Sequence, residues 1–236
     1  MEMTKECAKF KYIDLSHTIE DGTVTFPGDI PVSIETILDR EAASKLNGDG
    51  PYSGVEINTI RMVSTSGTYI DAPYHVFADG KQIKDYPIEK LVNLPSVVVK
   101  IADNREYFDA EDIDGLHVEG KAVLFYTGHD KFFMTPEYGK NAPYLTVELA
   151  NALVGKGAVF VGIDTPLIDN MSKLSDVGTP VHYTLLGANI PICEDMTNLQ
   201  LLPADGFTIT ALPPAVALES FPARVFATVL ESPIKE

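Results

Sequence analysis

An acid and an imidazole, Asp71 and His75, stand four residues apart in Thr65-Ser-Gly-Thr-Tyr69-Ile-Asp71-Ala-Pro-Tyr-His75. Pro73 biases Ala72 toward extended backbone. The spacing therefore aims both groups into one cavity, where they could ligate a divalent ion. It also suits a turn acid beside a surface imidazole. A second pair lies downstream. His182 falls in Thr179-Pro-Val-His182-Tyr-Thr-Leu-Leu-Gly187, and Glu194 follows twelve residues later in Ile192-Cys-Glu194-Asp-Met-Thr-Asn198. The Gly187-Ala-Asn189 turn between them could fold the chain back and bring imidazole and carboxylate together; the alternative is that His182 caps a helix end and Glu194 is solvated. His17, His117 and His129 are the other histidines, and only His75 and His182 stand beside further candidate ligands.

The elements that must position these groups read as short strands and turns. A β-type run over 55–63 leads through a Gly-Thr turn into the first pair. Residues 10–16 alternate as a first strand ending in Asp14-Leu-Ser-His17, polar groups that could face a pocket. Residues 30–38 resume the strand pattern, and 39–53, with Asn47-Gly-Asp-Gly50-Pro51, predict an exposed loop. A short helical turn is expected at 86–91. The apolar, β-branched runs at 96–101 and 121–126 are of the kind buried on both faces. Val147, Leu149, Ala150, Leu153 and Val154 recur at helical spacing between an N-cap at Thr146 and a stop at Gly155. Residues 158–163 form the next buried strand, and two last strands fall at 206–212 and 223–230. The regular alternation of a doubly wound sheet is missing, and there is no Gly-rich phosphate loop to support nucleotide chemistry. No repeat or linker divides the chain, so a single α/β domain over 1–236 is expected.

Composition narrows the partners. With 45% hydrophobic residues there is material for a core, and 17 Gly with 16 Pro imply many turns rather than a helical bundle. A formal charge of -16 repels polyanions, which argues against nucleic acid and anionic membranes and leaves a small-molecule substrate. No stretch approaches the roughly 18 to 20 apolar residues that span a bilayer. The charged N-terminus is unlike a signal peptide, so a cytoplasmic protein is expected. Cys7 and Cys193 form no metal-spaced pair and read as free thiols.

Taken together, the segments resemble the metal-dependent hydrolases of the cyclase family, whose members include bacterial kynurenine formamidases, with isatin hydrolase as a relative. The resemblance is carried by Asp14-Leu-Ser-His17, Phe26-Pro-Gly-Asp29, Gly67-Thr-Tyr-Ile-Asp-Ala-Pro-Tyr-His75, Thr127-Gly128, Gly162-Ile-Asp164-Thr-Pro166 with Asp169, and His182-Tyr-Thr-Leu-Leu-Gly187. Glu194-Asp-Met-Thr-Asn-Leu199 and Ser220-Phe-Pro-Ala-Arg224 extend it toward the C-terminus. It implies a swivelling β/β/α arrangement with a mixed, barrel-like sheet. It also implies a homodimer or homotetramer in which neighbouring subunits help to wall the pocket near Phe26-Pro27.

The family signature reads His-x-Gly-Thr-His-x-Asp-Ala-Pro-x-His, and this chain has Thr65 and Tyr69 in place of its first two histidines. The resemblance thus implies loss of the neutral nitrogen donors of one metal site and retention of Asp71, His75, His182 and Glu194 at the other. A Thr hydroxyl is a poor ligand, and a phenol with pKa of about 10 is reluctant to ionise for Zn²⁺. One divalent ion, Zn or Mn, is the expectation; the rival is a vacated site in which Tyr69 donates to Asp71. The implied activity is hydrolysis of an amide or cyclic amide, with Glu194 or His182 orienting water and His75 carrying a proton. Lactone hydrolysis or cyclisation with Tyr69 as acid or oxyanion donor, and metal-free binding of a small molecule, are the alternatives. The absence of Trp, and Leu167 where a serine is expected in formamidases, argue against N-formylkynurenine as the substrate.

Overall fold

The computed structural model describes residues 9–48, 50–101 and 105–231; Cys7 lies outside them, and Cys193 is a buried free thiol. The chain opens with β1 (Lys9–Asp14), then β2 (Ser33–Leu38), α1 (Arg40–Asn47) and β3 (Ile57–Arg61). The strand β4 (Tyr69–Asp71) is followed by a 3₁₀ turn over Pro73–His75. Next come β5 (Leu94–Lys100), β6 (Tyr107–Phe108), β7 (Ala122–Tyr126), β8 (Tyr144–Leu145), α2 (Val147–Gly155) and β9 (Phe160–Ile163). Two helices, α3 (Leu174–Val177) and α4 (Pro180–Gly187), precede β10 (Ile192–Glu194), and β11 (Phe207–Leu212), β12 (Ser220–Pro222) and β13 (Arg224–Glu231) complete the fold.

Nine strands form one mixed sheet in the order β1-β13-β11-β5-β7-β9-β10-β4-β12, curled into a half-barrel. The centre, β5-β7-β9-β10, is parallel, and both flanks are antiparallel. Alternation divides the central strands between two cores. Val97, Val99, Val123, Phe125, Val161 and Ile163 pack under α2 and α4. Val98, Leu124 and Phe160 face the opposite layer with Ile70, Cys193, Ile209 and Val225. This is why those strands read as unbroken apolar runs. Helix α2 starts as expected, with the Thr146 hydroxyl accepting from Leu149 N at 3.2 Å.

The region 39–53 departs from the expected loop, since α1 occupies 40–47. Asp39 caps it by accepting from Ala42 N at 2.8 Å, Glu41 and Lys45 pair one turn apart, and Gly48 closes it at φ 94°. The helix is short and buries Ala43 alone, so the caps identify it. On either side, β2 and β3 pair with each other as a separate two-stranded ribbon, and β3 is exposed at every residue.

Candidate metal centre

Strands β4 and β10 pair with Asp71 opposite Ile192 and Tyr69 opposite Glu194. Ile70 and Cys193 therefore enter the core on one face, while Tyr69, Asp71 and Glu194 project from the other, toward α4. Pro180 at the first helical position starts α4, and His182 sits in its first turn. Asp169 holds that turn, accepting from Val181 N at 2.8 Å, His182 N at 3.1 Å and the His182 Nδ1 at 2.6 Å. One carboxylate thus caps the helix and orients the imidazole, leaving Nε2 to face the other two acids.

Asp71, His182 and Glu194 are all buried, with one donor atom of each lying within 4.8 Å of the others. His182 Nε2 is 3.6 Å from Asp71 Oδ2 and 3.5 Å from Glu194 Oε1. Tetrahedral ligands about 2.0 to 2.2 Å from Zn²⁺ lie roughly 3.3 to 3.6 Å apart, so the spacing suits a shared ion. Asp71 Oδ2 is buried without a hydrogen-bond partner, while Oδ1 accepts from the Ser220 hydroxyl. An unpartnered carboxylate oxygen facing an imidazole is what a ligand set leaves open for a cation. The residues present fit one divalent ion.

Glu194 is held from two sides. Ile168 N donates to Oε1 at 2.5 Å, and the Tyr69 hydroxyl donates to Oε2. The expected alternative in which Tyr69 donates to Asp71 is not the arrangement found, because the strand register sets Tyr69 directly across from Glu194. Burial, reinforced by Glu194, Asp71 and Asp195, pushes the phenol well above its ordinary range, so Tyr69 stays protonated. Its proton is directed at Glu194 Oε2. Thr65 is half-buried in the turn that precedes Gly67. There Gly67 has φ 66°, and a Cβ would come within 2.7 Å of Ile19.

His75 stands beside these three groups, with Nδ1 3.9 Å from Asp71 Oδ1 and its ring centre 5.6 Å from that of His182. Its side chain is 33% exposed, against 1% for His182, so it meets solvent where the others do not. The turn that carries it is packed backbone to backbone, since a Cβ on Gly80 would lie 2.5 Å from the Pro73 carbonyl carbon. His17 stacks on Phe133 at 3.7 Å and lines a surface cleft with Asp14, Ser16 and Arg224. Burial lowers its pKa to about 4, keeping it neutral.

Sequence reasoning gave no role to Asp169, Ser220 or Asp195. Asp169 and Ser220 stand 13 and 149 residues from the groups they bond, and no local pattern announces such pairs. Asp195 has φ 55° and accepts from the Tyr138 hydroxyl, a contact across 57 residues.

Electrostatics follow from burial. Desolvation raises the Glu194 carboxyl from 4.5 to about 7 against the opposing pull of His182, and raises Asp164 from 3.8 to about 7 despite donors from Thr127 and Gly128. Burial alone would lower His182, but Glu194, Asp169 and Asp71 outweigh it and raise its pKa well above the ordinary value. Between about pH 4 and 7 the folded, metal-free chain holds protons on Glu194, Asp164 and Asp195 that the unfolded chain has released. These outweigh His17 and His129, which burial keeps neutral and which act oppositely below about pH 6.5, so stability falls as pH rises. The raised His182 acts in the same direction above its unfolded pKa. Thermal unfolding in the presence of a chelator should show a Tm lower at pH 7.5 than at pH 5.5, worth a few kcal/mol. Added Zn²⁺ should stabilise more at the higher pH, since its ligands must be unprotonated. A metal-free Tm that rises over this range would contradict the assignment.

Asp169 offers a second test. Replacing it by Asn removes the anionic acceptor that fixes the His182 tautomer, and Zn²⁺ affinity should fall about 10- to 100-fold. Competition with a chromophoric chelator measures this, and unchanged affinity would detach Asp169 from the centre.

The family model called Cyclase matches residues 13–170. Kynurenine formamidase of Bacillus anthracis is 28% identical over 209 residues, covering 88% of this chain and 91% of its own. Among solved structures, isatin hydrolase A from Labrenzia aggregata superposes with a TM-score of 0.79 at 24% identity, covering 94% of both chains. A protein described as a potential metal-dependent hydrolase with cyclase activity gives 0.76 at 24% identity, covering 95% of this chain and all of its own. A model match over well more than half of the sequence, on the fold those structures share, places this chain in the cyclase family.

Proposed function

We propose that this chain is a hydrolase of amides or cyclic amides that works with one divalent ion, Zn or Mn, held by Asp71, His182 and Glu194. The observation that carries the reading is the buried, unpartnered Asp71 Oδ2 converging with His182 Nε2 and Glu194 Oε1. The names of the relatives, a formamidase and the hydrolase of a cyclic amide, support the substrate class. The chemistry such an ion supplies is Lewis acidity toward a carbonyl oxygen and acidification of water.

The chain's own groups do the rest. Asp169 holds His182 with Nε2 turned toward the two acids. Tyr69 stands where a second cation would act, its hydroxyl satisfying Glu194 Oε2, which accounts for one ion rather than two. His75, at the exposed rim, takes a proton from the attacking water and returns one to the leaving nitrogen. The substrate is a small molecule: the charge of -16 disfavours nucleic acid and anionic membranes, and no described helix is long and apolar enough to cross a membrane. Exposed Ile34, Ile37, Ile57 and Ile60 on the β2–β3 ribbon support association into a homodimer or homotetramer, because a lone two-stranded ribbon is marginal in water.

Protein purified without chelator should carry about one equivalent of zinc or manganese and hydrolyse members of a panel of aryl formamides and isatin-like lactams. Less than about 0.2 equivalents, with no uptake from added Zn²⁺ or Mn²⁺, would overturn the metal assignment. Turnover of lactones run beside that panel, with none of its amides hydrolysed, would overturn the substrate class.

A further inference from the structure

Ser220 is fully buried on β12, directly opposite Asp71 in the strand register. Its hydroxyl is within reach of two groups, Asp71 Oδ1 and His75 Nδ1, the latter at 3.3 Å. A hydroxyl carries one proton and two lone pairs, whereas an ionised carboxylate offers lone pairs alone. The Ser220 proton therefore goes to Asp71. The oxygen can then only accept from His75, and His75 must carry its hydrogen on Nδ1. Asp71 cannot impose this unaided, because its Oδ1 is 3.9 Å from His75 Nδ1, beyond hydrogen-bond range.

We propose that Ser220 is the positioning residue for His75, holding its ring in the Nδ1–H tautomer so that the Nε2 lone pair is free to accept a proton. A histidine side chain in water favours the opposite tautomer, with hydrogen on Nε2, so a ring at the rim needs a partner on Nδ1 to present the basic nitrogen outward. The geometry provides that partner from the interior. Ser220 is anchored by pairing with β4, and Asp71 fixes the direction of its hydroxyl. The ring is restrained from its own side by the Pro73–His75 turn against Gly80. The step to which this contributes is a transfer of one proton from water to Nε2 and onward to the leaving nitrogen, with no change in oxidation state. The catalytic consequence rests on the hydrolase reading above; the tautomer assignment does not.

The test is ¹⁵N spectroscopy of histidine-labelled full-length protein, metal-free and loaded with Zn²⁺ alone, with the His75 signals identified by their loss in His75→Gln. The wild type should show His75 as Nδ1–H in both states. Ser220→Ala should move the ring to predominantly Nε2–H, and Ser220→Cys, a poor acceptor of similar size, should do the same. Ser220→Thr, which keeps the hydroxyl, should retain Nδ1–H. On the panel substrate the wild type turns over fastest, Ser220→Ala assayed at saturating Zn²⁺ should lose about 10- to 100-fold in kcat, with KM within about twofold. A wild-type ring protonated on Nε2, or a Ser220→Ala ring still on Nδ1, would overturn the proposal whatever the activity. If the tautomer shifts as expected while no amide is hydrolysed, the hydrolase reading falls and the assignment of Ser220 to the ring stands.

Discussion

With the substitution Asp71→Asn the purified chain is expected to carry no zinc or manganese and to lose amide hydrolysis by at least about 1,000-fold, roughly 4 kcal/mol of transition-state stabilisation. In the proposed centre Asp71 is the acid that keeps one oxygen open to the ion. Ser220 holds one oxygen, and the other faces His182 with no donor of its own. The amide keeps the size of the side chain but removes its charge, and an NH₂ turned toward the ion would repel it. Because the substitution also removes one negative charge from a buried group of acids, the metal-free variant should unfold at a temperature no lower than the metal-free wild type. Elemental analysis beside thermal unfolding separates these effects. A folded Asp71→Asn variant that retained a full equivalent of metal would show that the ligand set has been misassigned.

The converse change should add an ion. Tyr69→His together with Thr65→His replaces the phenol donor on Glu194 with an imidazole and puts a second nitrogen ligand four residues away, so the expected stoichiometry rises from about one equivalent to two. Tyr69→Phe is the control. It leaves Glu194 Oε2 buried without a donor and should cost about 1 to 3 kcal/mol of stability without adding metal. Stoichiometry that stays at one in the double variant would place Thr65 outside the pocket, since Tyr69 is fixed there by its pairing with Glu194. The two results distinguish a centre that has exchanged a cation for a proton donor from one that never held a second site.

How much of this was legible before the fold was known varies with the range of the interactions. Strands β5, β7 and β9 announce themselves because both faces are buried, and α2 does so through Thr146 and a regular apolar period. Helix α1 is harder to see, because it is short and buries Ala43 alone, leaving the Asp39 cap and the Glu41–Lys45 pair as its signals. Strands β10 and β12 are three residues each, too short to show a period, yet they deliver Glu194 and Ser220. The types and spacing of Asp71, His75, His182 and Glu194 suggested ligands, but the nearness of His182 to Glu194 depends on a helix, a turn and a strand folding together. Asp169 and Ser220 were invisible as partners for the same reason: their hydrogen bonds exist only once distant strands and helices have met.

The pairing of β4 with β10 involves three residues on each strand, and this brevity has a consequence for quality control. A slip of β4 by one residue against β10 would turn Ile70 toward α4 and send Tyr69 and Asp71 into the apolar layer, leaving Glu194 without them. A chain threaded that way could still bury much of its sheet but would offer no ion a home. On the single-ion reading proposed above, metal uptake would tell a correctly registered molecule from a near miss.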